Sequence, residues 1–206
     1  MIRSALLIAA ASVALSGCAL LASPDPVQLY RFGGASAFAG TGATSACPDV
    51  HVSMRRVDFS EAARGDRILA VTGAEAAYIK GARWVSPAET LFEEALRNAF
   101  LDGGTCTVLS GGPLTRDGLL LSVDVRRFEA DYAAPGAVPD ANIVVLLRLV
   151  RPGDRSIVAE DRISVSESAG ENRQSAIVAA FDRATAEASR QIVLWTDQQG
   201  FQATRN

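Results

Sequence analysis

The chain has 206 residues, 49% of them hydrophobic, with 20 Lys+Arg against 23 Asp+Glu. That length is enough for one domain with a substantial core. The slightly acidic balance, with no basic patch, argues against nucleic acid as a partner.

The chain opens with Met1-Ile2-Arg3 and an apolar run from Leu6 to Leu15. A permanent membrane-spanning helix needs about 20 apolar residues, so this shorter run reads as a signal peptide over residues 1–17. Leu15-Ser16-Gly17-Cys18 follows, small residues that can enter a peptidase cleft in extended form, with a thiol where cleavage would fall. The order resembles the lipobox of bacterial lipoproteins. It predicts that Cys18 becomes the mature N-terminus and carries acyl chains, palmitate among them, as the chain's membrane attachment. Losing Arg3 leaves 19 basic against 23 acidic residues, a formal charge of −4.

Export bears on the other two cysteines. Cys47 and Cys106 would face an oxidising compartment, where a disulfide is the expected state and a pair of buried free thiols the alternative. A metal site is a weaker reading, because His51 is the single histidine.

Residues 18–46 are small and rich in Pro and Gly, and predict a flexible tether behind the lipidated cysteine. Val27-Gln28-Leu29-Tyr30-Arg31-Phe32 alternates instead, as a short edge strand would. Whether it docks is left open. The folded domain is expected over 47–197, followed by a tail at 198–206. Strands are expected around Val50–Val57, at Arg67–Val71 and at Ala76–Lys80.

Ser86-Pro87-Ala88-Glu89 has the pattern of a capping box, with the serine as N-cap, ahead of an amphipathic helix. Leu91, Phe92, Ala95, Leu96, Ala99 and Phe100 share one face of that helix, and Asp102-Gly103-Gly104 ends it. Strand signals resume at Thr105–Leu109 and at Leu119. Apolar residues then occupy odd positions in Leu121-Ser122-Val123-Asp124-Val125 but even ones at Phe128, Ala130 and Tyr132. One extra residue near Arg126-Arg127 would restore them to a common face, so a β-bulge is expected there. Asn142–Val150 reads as a central strand. Arg151-Pro152-Gly153-Asp154 is a turn into a returning strand, and a long helix should run from Asn172 to Trp195. Runs of strands broken by two helices predict an α+β fold: a mixed, mainly antiparallel sheet with both helices packed on one face.

Residue types suited to catalysis are few. A triad would have only His51 as base, on a predicted strand, with no nucleophile turn around any serine. Gly40-Thr41-Gly42-Ala43-Thr44-Ser45 lacks the lysine and the strand-to-helix setting of a phosphate loop. Glu93-Glu94 and Glu129 with Asp131 read as solvated faces beside arginines. Among the large aromatics, Phe128 reads as core, while Tyr78, Trp84 and Tyr132 suit either core or a partner surface.

The whole layout resembles the ABC-type transport auxiliary lipoproteins. The likeness rests on the order of the lipobox, the Tyr30 strand, Asp66-Arg67-Ile68, Tyr78-Ile79, Arg83-Trp84, Ser86-Pro87 with its helix, and Leu121 to Ala130. It spans about Leu29 to Trp195. The resemblance implies a non-catalytic lipoprotein without cofactor, anchored in the outer membrane and facing the periplasm. It would work with an MCE-domain protein and an ABC permease and ATPase that move phospholipids or other apolar molecules. Association with further copies of itself is left open, and a structural lipoprotein of outer-membrane assembly or envelope integrity is the alternative.

Overall fold

A computed structural model describes residues 26–38, 49–110 and 118–205. Cys18, Cys47 and the segment Gly40–Ser45 lie outside them. The elements in chain order are β1 (Gln28–Tyr30), β2 (Val50–Met54), β3 (Asp58–Phe59), β4 (Arg67–Thr72), β5 (Glu75–Trp84), α1 (Ala88–Gly103), β6 (Thr107–Leu109), β7 (Leu119–Tyr132), β8 (Asp140–Val150), β9 (Ile157–Ser168) and α2 (Gln174–Arg205). The class is the expected one: a nine-stranded mixed sheet with long antiparallel pairings and two helices.

β7 organises the sheet. One of its edges carries the whole of β8 in antiparallel register; the other carries β2, β3 and β4 in succession, all parallel. The bulge expected near Arg126 is present, because the register with β8 steps by one between Val125 and Arg127. Its consequence is the packing of Phe128. With the phase reset, the buried positions of β7 run Leu119, Leu121, Val123, Val125, Phe128, Ala130. Phe128 then becomes the hub of an aromatic cluster, with ring centroids 5.1 Å from Phe32, 4.8 Å from Phe181 and 5.5 Å from Phe59. Trp84, 2% exposed, is also core, and meets Phe32 edge-to-face at 4.8 Å.

Three local expectations are corrected. Ser86 does not cap α1: Pro87 occupies the N-cap position with no side-chain cap. The amides of Ala88 and Glu89 donate instead to the carbonyls of Gly65 and Arg64, at 2.9 and 3.3 Å. A tertiary loop thus satisfies groups that a capping box would have satisfied locally. Glu89 is released to pair with Arg56 at 2.9 Å.

The terminal helix does not stop near Trp195, and residues 198–205 are helix, not tail. Thr196, Asp197 and Gly200 are buried, and Arg151 donates to the Ala203 carbonyl at 2.7 Å near the helix end. At the other end the helix starts at Gln174. Asn172, just before it, accepts from Tyr132 Oη at 3.2 Å and donates to Gly136 O at 3.2 Å.

The third correction concerns the residues just after Phe32, expected within the tether: the amides of Gly33, Gly34 and Ala35 are bound to α2, while the strand set apart at 27–32, its docking left open, does dock. β1 adds to the sheet edge parallel to β5, in the register Gln28↔Ala82, Leu29↔Arg83, Tyr30↔Trp84. Phe32 follows it into the core at 2% exposure. Burying a phenyl ring against two other aromatics, Trp84 and Phe128, stabilises by a few kcal/mol, on the order of the 3–5 lost when a core Phe is cut to Ala. That outweighs the entropy of ordering a handful of small residues, at roughly 1–2 kcal/mol each, only with further bonds. Those bonds come from α2.

Candidate functional site

The segment that leads away from Cys18 is fastened at three levels. Its strand shares backbone bonds with β5, and Val85 N–H donates to Tyr30 O at 2.8 Å. Its aromatic residue is buried. Beyond Phe32, the chain turns at Gly33 with φ +84, and three successive amides, of Gly33, Gly34 and Ala35, donate to one oxygen of Asp182 at 2.7, 2.9 and 3.2 Å. Several N–H groups converging on a carboxylate make charge-assisted bonds, each stronger than a neutral one. A side chain at position 33 would fail twice: the φ is left-handed, and a Cβ would come within 2.9 Å of Ala95 Cβ on α1.

Asp197 repeats the device lower on α2. It is 6% exposed and accepts from Thr105 N and Thr105 Oγ1, both at 2.8 Å, and from Cys106 N at 3.3 Å. Fifteen residues is about four helical turns, so the two aspartates share a face of α2. One holds the segment that follows β1; the other holds the loop that carries Cys106. Sequence reasoning missed both. Each is a carboxylate on an otherwise apolar helical stripe, and that interruption was the available signal.

The other sequence candidates fall elsewhere. His51 is exposed on β2, at a shallow depression lined also by Asp49, Arg151 and Thr204. Glu93 is bound to Arg97 Nη2 at 2.9 Å and faces the amide of Val57. Glu129 lies on the sheet face away from the helices. Its carboxyl is held above the usual carboxylate range, chiefly by burial and secondarily by Asp131, against the opposing pull of Arg127. Tyr78 is half-buried, with the Arg67 guanidinium stacked 3.7 Å above its ring. Among the described residues no group of His, Cys, Asp and Glu is placed to hold a metal ion. No helix among them is long and apolar enough to cross a membrane. The most extensively bonded of these features is the segment 28–35, joined to β5 by strand pairing and to α2 through Asp182.

The family model for the ABC-type transport auxiliary lipoprotein component matches residues 35–193. Among solved structures, the Xanthomonas campestris protein XCC0632, of the DUF330 family, is 25% identical, with a TM-score of 0.72 over 87% of this chain and all of that one. An uncharacterized protein at 16% identity shares the fold, with a TM-score of 0.62 over 82% of this chain and 98% of its own. No curated protein matches.

Proposed function

The chain belongs to the family of ABC-type transport auxiliary lipoprotein components, and from that membership we propose that it is a non-catalytic docking component of an ABC/MCE-type transport system. In this reading Cys18 carries the acyl chains and holds the domain to the outer membrane, facing the periplasm. An MCE-domain protein joins it to the permease and ATPase, and phospholipids or other apolar molecules are the cargo. A Cys47–Cys106 disulfide links the start of the core domain to the loop held by Asp197.

The observation that carries the proposal is the family match over residues 35–193, which spans β2 to β9, α1 and most of α2. The build of the domain supports it. A component that transmits position needs a stiff connection to its anchor, and the segment after Cys18 is strand-paired, aromatic-packed and carboxylate-bound. Docking also shortens the reach. Residues 19–27 separate Cys18 from β1, and nine residues of random coil would span about 17 Å. The rest of the periplasm must be bridged by a partner, and the MCE protein fills that role.

Deleting the gene should give the same envelope permeability or lipid-asymmetry defect as deleting the ATPase of the same system. Complementation should succeed with His51→Ala and fail with Cys18→Ser. Loss of function in a folded, membrane-bound His51→Ala protein would instead point to an enzyme.

A further inference from the structure

The β1 edge of the sheet exposes three aliphatic side chains among the charged groups Arg31 and Arg83, the latter paired with Asp66. Val27, Leu29 and Val85 are 48%, 55% and 52% exposed. Leu29 is paired in register with Arg83, and Val85 is joined to Tyr30 by its amide, so Val27 and Val85 flank the two ends of the parallel β1–β5 pair with Leu29 between them. Arg31, also exposed, continues the alternation of Val27 and Leu29, while the residues between and after, Tyr30 and Phe32, turn inward.

We propose that this edge, with Val27, Leu29 and Val85 as its apolar contacts and Arg31 beside them, rests on the phospholipid headgroup layer of the membrane that holds Cys18. The proposal depends on the anchor reading above. Chain length argues for it: residues 19–27 reach at most about 30 Å when fully extended, and far less on average. The β1 edge therefore cannot leave the neighbourhood of the bilayer. β9, at the other side of the sheet, lies five strand spacings further off, about 24 Å. Isolated leucine and valine side chains insert into the boundary between headgroups and acyl chains, and an arginine there meets phosphate oxygens.

A partner strand is the less suitable occupant. β1 is three residues long, and the Gln28 side-chain amide already donates to the Leu29 carbonyl at 3.3 Å. Short and self-occupied edges are poor templates for strand addition. Because acylation already supplies attachment, the added contact would chiefly set orientation, with β1 toward the lipid.

The test uses the full acylated protein in vesicles of phosphatidylethanolamine and phosphatidylglycerol carrying brominated acyl chains. Mass spectrometry and flotation first establish that Cys18 is acylated and the protein membrane-bound. Failure there refutes the anchor reading. Tryptophan is then placed at Leu29, at Val85, or at Ile157 on β9, all more than half exposed. Emission is compared with the native protein. Leu29→Trp and Val85→Trp should be quenched by brominated lipid at least threefold more than Ile157→Trp. Equal quenching at the three sites in anchored protein would overturn the proposal. So would shielding of Leu29→Trp from aqueous iodide without lipid quenching, which would identify a protein as the occupant.

Discussion

The carboxylate of Asp182 accepts the amide of Gly33 at 2.7 Å across 149 residues of sequence, and so ties the segment after β1 to α2. Gly34 and Ala35 add their amides to the same oxygen. The segment 28–35 and the domain are thereby one body.

Removing that carboxylate should loosen the segment without unfolding the domain. Asp182→Ala is expected to cost about 1–3 kcal/mol, the range for stranding partly buried donors. Asp182→Asn, which keeps one acceptor, should cost less. Hydrogen exchange at Gly33 to Ala35 should accelerate in Asp182→Ala while the β7–β8 pairing stays protected. Unchanged exchange at those amides would show that Phe32 and β1 suffice.

Gly33→Ala should be more harmful than its size suggests. It places a side chain at φ +84 and drives its Cβ against Ala95. Each effect costs of order 1 kcal/mol or more. The melting temperature should fall by several degrees, and Ala95→Gly in the same chain should recover the steric part but not the backbone part. Full recovery would mean that the backbone angle is unimportant.

Glu129 gives a pH-dependent prediction. Its carboxyl titrates above the ordinary range in the folded protein because burial disfavours the charged form. The folded state therefore binds that proton more tightly than the unfolded state. Stability from this group is present below the unfolded carboxylate value and is lost as pH rises through the higher folded value. Glu129→Gln should accordingly be more stable than the native chain at pH 7, with the gain shrinking to nothing as pH falls below the ordinary carboxylate range. Denaturant midpoints measured from pH 3 to 8 would reveal this, and a pH-independent difference would contradict it.

If Cys47 and Cys106 are joined, the bond closes a loop long enough to constrain the unfolded chain by about 4 kcal/mol in the entropy model. Peptide mapping without reduction should recover the linked pair from periplasmic material. Two freely alkylated cysteines would refute the bond. Reduction should then lower stability while leaving the Asp197 contacts to Thr105 in place.

What could be read from the sequence was whatever is local or periodic. The flip of apolar positions between Val125 and Phe128 implied the bulge, because a period-two pattern cannot change face otherwise. The amphipathic stripe of α1 and the hairpin of β8 and β9 were legible for the same reason. Where distant groups decided the outcome, local rules failed. Ser86 looked like a cap, yet the carbonyls of Arg64 and Gly65 took its place. Residues 198–205 looked like a tail, but buried contacts at Thr196, Asp197 and Gly200 carry the helix through them. Gly33-Gly34 looked like linker because nothing nearby shows that Asp182 receives their amides. A carboxylate on an apolar stripe, and paired glycines directly after an alternating run, are the signs that would have pointed to the joint.

Purification of the native protein from detergent-solubilised envelopes, with quantitative identification of what accompanies it, bears most closely on its role. The MCE-domain protein should co-purify in stoichiometric amount, with the permease and ATPase following through it, and Cys18→Ser should reduce that yield. Recovery of barrel-assembly or peptidoglycan-binding proteins in place of the transport subunits would contradict the assignment and leave this domain an envelope-structural lipoprotein.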